Sequence, residues 1–255
     1  MRPEKLYHIG FYPGDIDTRY AILPGDPGRV KAIAALLDEA YPLASNREYD
    51  SYVGKLEGRS VVVCSTGIGG PSAAIALEEL STAGVETVIR VGTCGAMQLS
   101  VCGGDLVVAV SAVRQEGTSH EYAPVGYPAT ADFTVTEALK EAAGGQEISV
   151  HTGVVHSKDS FYGQHDPGRM PVSGELISKW NAYKALGVLA SEMECAAIFT
   201  VAASLKMRAG AVLQVIWNQE RAAAGMPNPH MPDTGAAIAC AVGAVRRLIR
   251  AEKSG

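Results

Sequence analysis

The chain has 255 residues, 47% hydrophobic and 19% charged, and a formal net charge of −5. That length buries a sizeable core as one large domain, and the charge balance excludes a general basic surface for nucleic acid or an anionic membrane. No apolar run reaches the roughly 20 residues that span a bilayer, and no signal peptide follows Met1-Arg2-Pro3-Glu4-Lys5. The five cysteines, without a Cys-x-x-Cys pair, read as reduced thiols of a cytoplasmic protein.

Tyr20-Ala21-Ile22-Leu23 reads as a short strand closed by Pro24-Gly25-Asp26-Pro27-Gly28. A helix follows, with Val30, Ile33 and Leu37 on one face, Asp26 as N-cap and Pro27 at the first position. Arg29 then places a cation in a first turn, where the helix dipole disfavours it. An anion between the loop amides and Arg29 removes the conflict; an ordinary exposed arginine is the other reading. Ser45 to Tyr52 alternates like an edge strand, and its Arg47 reads as solvated.

Val61-Val62-Val63-Cys64 is a strand buried on both faces, followed by the glycine loop Ser65 to Pro71 and a helix from Ser72 to Ala83. This is not a dinucleotide fingerprint. Glu86 opens the next strand, whereas the ribose-binding acid belongs at its far end. That next strand, Val88-Ile89-Arg90-Val91 before Gly92-Thr93-Cys94-Gly95, organises the chain. Alternation puts Val88 and Arg90 on one face, Ile89 and Val91 on the other. Burying an unpaired guanidinium costs several kcal/mol, so Arg90 meets either a protein carboxylate or a bound anion. Its place before the glycine turn, at the carboxyl end of a strand, favours the bound anion.

Asp105 to Val110 and Val150 to His156 are further strands, and His151 and His156 read as structural histidines. Ser157 to Gly174 reads as one long loop. In it Phe161 and Tyr162 offer planar faces and Gln164 an adjacent donor and acceptor, suited to a heterocycle with ring amides; a surface excursion with incidental aromatics is the alternative. Ser191 to Leu205 reads as a helix. Glu192 and Glu194 are then either acids favoured by the dipole or, for Glu194, a ligand for sugar hydroxyls with Met193 against the apolar sugar face. Ala209 to Trp217 is the last strand, and Thr234 to Ala251 the last helix, whose Arg246, Arg247, Arg250 and Lys253 sit where the dipole welcomes them. With no repeat or linker, residues 1–255 read as one domain.

Five motifs in one order resemble the nucleoside phosphorylase superfamily, in its uridine-cleaving branch. They are Leu23-Pro24-Gly25-Asp26-Pro27 with Arg29, Cys64 to Ser72, Arg90-Val91-Gly92-Thr93, Phe161-Tyr162-Gly163-Gln164 and Glu192-Met193-Glu194. The resemblance implies an α/β fold of three layers, a central mixed, partly closed β-sheet flanked by helices. It implies reversible phosphorolysis of uridine to uracil and ribose 1-phosphate, without an organic cofactor and with inorganic phosphate as co-substrate. It assigns phosphate to Gly25, Arg29, Arg90 and Thr93, with Arg47 from a neighbouring subunit. Ribose falls to Met193, Glu194, Thr93 and the neighbour's His8, and the base to Phe161, Gly95 and Gln164. It further implies a homohexamer, a trimer of dimers with shared sites. In some members a monovalent cation such as potassium lies between subunits, and Glu48, Ile68 and Ser72 match those positions.

One departure stands out. Many members carry an arginine two residues after the base-binding glutamine, and this chain has Asp166 there; Gln219 stands where a second arginine is common. An ionised carboxylate cannot donate to a uracil carbonyl. Lys158, His165, Arg169 and Arg221 are the available donors, and Lys158 and His165, flanking the Phe161–Gln164 segment, are the expected substitutes. A purine nucleoside phosphorylase is the nearest rival, disfavoured because Asn218 stands where an acid is required. A nucleosidase leaves the arginines without a partner, and a silent nucleoside sensor leaves Glu194 unexplained.

Overall fold

The computed structural model describes residues 4–254; Met1 to Pro3, part of the segment read for a signal peptide, and Gly255 lie outside the described residues. The chain begins with β1 (Tyr20–Pro24), α1 (Gly28–Ala34), β2 (Asp38–Asn46), β3 (Tyr49–Leu56), β4 (Arg59–Cys64) and α2 (Gly70–Thr82). Next come β5 (Thr87–Ala96), β6 (Leu106–Gln115), α3 (Thr118–Tyr122), β7 (Ala129–Thr130), α4 (Phe133–Ala143) and β8 (Val150–Lys158). The last part holds α5 (Phe161–His165), α6 (Ser173–Ala185), β9 (Ala190–Glu192), α7 (Cys195–Ser204), β10 (Arg208–Asn218), α8 (Gln219–Ala223) and α9 (Gly235–Ser254).

Among the described residues all ten strands share one mixed sheet, and β5 is its junction. It runs parallel to β1 from Thr87 to Val91 and parallel to β10 along its other edge. At Gly95 and Ala96 it turns to the antiparallel β9 instead. From β9 the sheet continues through β8 and β6 back to β10, closing a barrel, while β1, β4, β3 and β2 form the open extension. This is the partly closed sheet that the resemblance implies. One apolar layer unites β5 Val88 with α2 and α7, and the other joins Ile89 and Val91 to α1, α4 and α9. The predicted alternation therefore holds, and Arg90 faces the α2 and α7 side.

Several boundaries need correction. Ser45 to Tyr52 is no single edge strand but the meeting of β2 and β3, with the turn at Arg47 in the left-handed region (φ 54°). The expected glycine turn at Gly92–Gly95 is strand, because β10 pairs with it throughout. The presumed loop 157–174 ends β8, forms α5 and enters α6. Its helical signal is weak because α6 buries none of its residues. The presumed helix start at Ser191 is β9, and α7 begins only at Cys195. Asp26 does accept from the Gly28 amide at 2.8 Å, although Pro27 holds the cap position. A readable signal went unused at α4, where Asp132 caps the Val135 amide at 2.9 Å. The basic end of α9 is structural as read: Arg246 and Arg250 pair with Glu57, and Arg247 with Glu141.

Candidate active site

The change of partner along β5 creates the site. Val91 is the last residue registered with β1 and Gly95 the first registered with β9, so Gly92, Thr93 and Cys94 fall between the two pairings. A cavity of about 940 Å³ opens at that split, a size suited to a small molecule. Gly25 and Arg29 border it from the end of β1 and the start of α1, and Met193 and Glu194 from the start of α7. Only glycine fits at position 92: a Cβ would lie 2.7 Å from Leu213 Cδ2 and 3.0 Å from Arg90 Nη2. The guanidinium thus passes close to its own strand at Gly92.

Arg90 finds its anion within the protein. It is 4% exposed, hydrogen-bonded to the Glu194 carboxylate, with Glu192 Oε2 3.5 Å from its Nε. Of the two partners the sequence allows, the protein carboxylate, the less favoured one, is the one in place. Even so, Arg90 Nε and Nη1 make no hydrogen bond among the described residues, and Nη1 lies toward Gly25, 3.8 Å from where a Cβ there would sit. Burial opposes the Arg90 charge, yet Glu194 and then Glu192 outweigh it and hold the group protonated. Burial raises the Glu194 carboxyl above its ordinary range, against the pull of Arg90. Its Oε1 accepts the Gly69 amide at 2.7 Å, the cap position of α2. Glu192 accepts the Glu194 and Cys195 amides at 2.8 and 2.9 Å. The helix-start reading of Glu192 is therefore right in chemistry, though the residue sits on a strand. Two carboxylates, each held by amides at a helix N-terminus, converge on Arg90.

Arg29 lines the same cavity. Its own acidic neighbour, Asp26, is 3.9 Å away and pairs with it at the edge of ion-pair range. Burial lowers the Arg29 pKa, Asp26 opposes this, and the like charge of Arg90 lowers it further. Two guanidiniums that repel one another thus share one cavity, a concentration of positive charge that an anion would relieve.

The other end is built for a planar polar group. Gly95, Phe161, Gln164, His165 and Lys158 all border it. The Phe161 and His165 rings meet at a tilt of 44° with centroids 4.3 Å apart. Gln164 Oε1 accepts from Ser191 at 2.8 Å and Nε2 donates to Gln219 at 3.2 Å. Lys158 Nζ reaches Ser191 Oγ at 3.0 Å and the Glu192 carbonyl at 3.4 Å. Burial depresses the Lys158 pKa to about 8, despite the pull of Glu192 and Glu194. Among the donors weighed from sequence, Arg169 pairs with Asp166 at 3.2 Å, and Arg221 is tied to the carbonyls of Leu99 and Pro227. Neither borders the cavity. Ser191, Trp217 and His230 do, and sequence reasoning missed all three; a lone serine on a short strand gives no local signal.

His8 and Arg47 lie outside the cavity lining. His8 is held by Glu79 of α2, ring nitrogen to carboxylate 2.7 Å, and Asn46, next to Arg47, donates to the His8 carbonyl at 2.7 Å. Arg47 stands over the Tyr7 ring, 5.9 Å from its centroid. The two form one surface patch. Glu48 and Ile68 border the cavity, and Ser72, not a lining residue, donates to Glu48 Oε1 at 2.9 Å. No cluster of three or more metal-ligating His, Cys, Asp or Glu occurs among the described residues, and none of their helices is long and apolar enough to cross a membrane.

Comparison with known proteins gives a consistent picture. The family model described as "Phosphorylase superfamily" matches residues 19–250. The chain is 51% identical to "Uridine phosphorylase" of Treponema pallidum (strain Nichols), covering 95% of this chain and 94% of that protein. It is 41% identical to "Uridine phosphorylase" of Escherichia coli (strain K12), covering 98% and 100%. It is also 44% identical to "Guanosine phosphorylase" of Halorubrum lacusprofundi, covering 84% of each.

Proposed function

The chain belongs to the phosphorylase superfamily, and from that premise we propose that it catalyses the reversible phosphorolysis of uridine to uracil and ribose 1-phosphate. The observation that carries this reading is the pairing of two ends in one cavity: Arg29 and Arg90 at one, Gln164 and Phe161 at the other, with Met193 and Glu194 between them in the lining. Phosphate binds Arg29, Arg90, Thr93 and the Gly25 loop. Glu194, joined to Arg90, accepts sugar hydroxyls while Met193 packs on the apolar sugar face. As the glycosidic bond breaks, the sugar carbon turns cationic and phosphate attacks from the opposite face. Orientation and electrostatics carry the rate.

The departing uracil carries negative charge, and one lost donor typically costs about 3 kcal/mol of transition-state stabilisation. Lys158 is the donor that takes the place of the missing arginine, with His165 the secondary candidate. An ammonium has three N–H groups, and Ser191 and the Glu192 carbonyl engage two of them. The guanosine relative raises a purine alternative. Asn218 argues against it: its amide is spent on the Gln98 and Val101 carbonyls, and it does not border the cavity.

His8 and Arg47 serve a neighbouring subunit's site, which their joint position away from their own cavity supports. The assembly is the homohexamer of the resemblance, residues 1–255 acting as one unit in the cytoplasm. Glu48, Ile68 and Ser72 offer a carboxylate, a carbonyl and a hydroxyl, an all-oxygen set suited to a potassium ion completed by a second subunit. Uracil release from uridine, with and without phosphate and beside inosine and thymidine, tests the whole reading. Release without phosphate, or preference for inosine, would refute it.

A further inference from the structure

Behind the base end, several side chains compete for too few protons. Ser191 Oγ is approached by Lys158 Nζ at 3.0 Å, His156 Nδ1 at 3.1 Å and Gln164 Oε1 at 2.8 Å. The other His156 nitrogen lies 3.0 Å from Gln115 Oε1, and Gln164 Nε2 donates to Gln219. A hydroxyl has one proton and two lone pairs, and an ammonium only donates, so Lys158 occupies one lone pair. The single Ser191 proton then goes either to Gln164 or to His156.

A charged imidazolium would satisfy every contact, donating to both Ser191 and Gln115. That state is unfavourable near neutral pH: burial, with the nearby Lys158 charge, lowers the His156 pKa to about 4. Trp180 and Tyr183 of α6 pack against the ring, and His156 also borders a second cavity of about 390 Å³. A neutral ring has one proton for two nitrogens. If Nε2 carries it, Ser191 must donate to Nδ1, and both Gln164 and Gln219 must turn their amides over. If Nδ1 carries it, only Gln115 turns. Gln115 is half-buried with His156 as its one side-chain partner among the described residues, so the second arrangement disturbs less.

We propose that His156 is held as the Nδ1–H tautomer and that, as positioning residues, His156, Lys158 and Ser191 pin the Gln164 amide so that the site selects uracil over cytosine. This rests on the uridine-cleaving reading above. The pinned Oε1 keeps one lone pair for a ring N–H, and Nε2 keeps one hydrogen for a carbonyl. Uracil presents that pair. Cytosine presents a bare ring nitrogen where Oε1 needs a donor. An amide free to turn over would serve either base, whereas a pinned one rejects the mismatch.

The test compares kcat/KM for uridine and cytidine in the unaltered enzyme, Ser191→Ala and Ser191→Thr. Ser191→Ala should lower the uridine-to-cytidine ratio by about 100-fold, within the range that hydrogen-bond mismatches command, and Ser191→Thr should restore most of it. An unchanged ratio in Ser191→Ala overturns the proposal. Ring nitrogen chemical shifts of His156 in the unaltered protein give a second reading that needs no variant to fold. A proton on Nδ1 is expected, and one on Nε2 overturns the assignment. The shifts require no turnover, so failure of the enzyme to release uracil would strike the underlying reading and leave the tautomer result standing.

Discussion

Arg90 and Glu194 are 104 positions apart in sequence, yet they form a buried ion pair at the junction of β5 with the cap of α7. Glu194 is the resident partner of a guanidinium assigned to phosphate, so it competes with phosphate for the same charge. Glu194→Gln removes that competition together with a carboxylate assigned to the sugar. Steady-state kinetics should show a lower KM for phosphate and a kcat reduced by roughly 10²-fold, the size expected when a positioned transition-state contact is lost. A phosphate KM that rises would contradict the competition.

Removing the cation instead leaves Glu192 and Glu194 buried without their charge partner. Arg90→Ala should destabilise the fold by about 3–5 kcal/mol, read as a lower urea midpoint with an unchanged slope. A loss below 1 kcal/mol would mean that water reaches the pair.

Lys158, as the proposed uracil donor, should set an alkaline limb of activity. Its folded pKa is depressed to about 8 from an ordinary 10.5, so the donor loses its charge as pH rises through 8. The uridine kcat/KM should fall above that pH, and Lys158→Met should be slow with no such limb. Stability moves oppositely. Between pH 8 and 10.5 the unfolded chain holds more protons at this group, so its contribution to stability rises with pH there.

His156 governs the acid side. Its pKa is lowered to about 4 from 6.5 by burial, so on acidification the unfolded state takes up the proton first. Stability is therefore lost as pH falls from 6.5 towards 4, on the order of 3 kcal/mol at a tenfold change per 1.36 kcal/mol. Thermal melts across that range should show the slope, and His156→Gln should flatten it.

Phosphate should stabilise the folded protein by mass action, about 2.7 kcal/mol at 100 times its Kd. The gain should largely disappear in Arg29→Ala, whose guanidinium borders the cavity and pairs with Asp26 at 3.9 Å. Equal thermal shifts in both proteins would detach Arg29 from the anion.

Local pattern determined much of this protein. Alternation along Val88–Val91 assigned Arg90 to its face, because side chains on a strand alternate wherever the strand lies. The Asp26 turn, the apolar strands and the Phe161–Gln164 segment are likewise written in neighbouring residues. What period cannot state is partnership. Glu192 and Glu194 resemble helix-start acids in isolation, and only the pairing of β9 with β8, Glu192 opposite Ser157, makes one of them a strand residue that caps α7. Ser191 and Lys158, 33 positions apart, carry no mutual sign in the chain. The cavity exists because β5 exchanges β1 for β9 at its midpoint, a register decided by packing across the whole sheet. Hydrogen bonds between distant segments obey no sequence period, so burial and proton sharing at the base end belong to the tertiary structure alone.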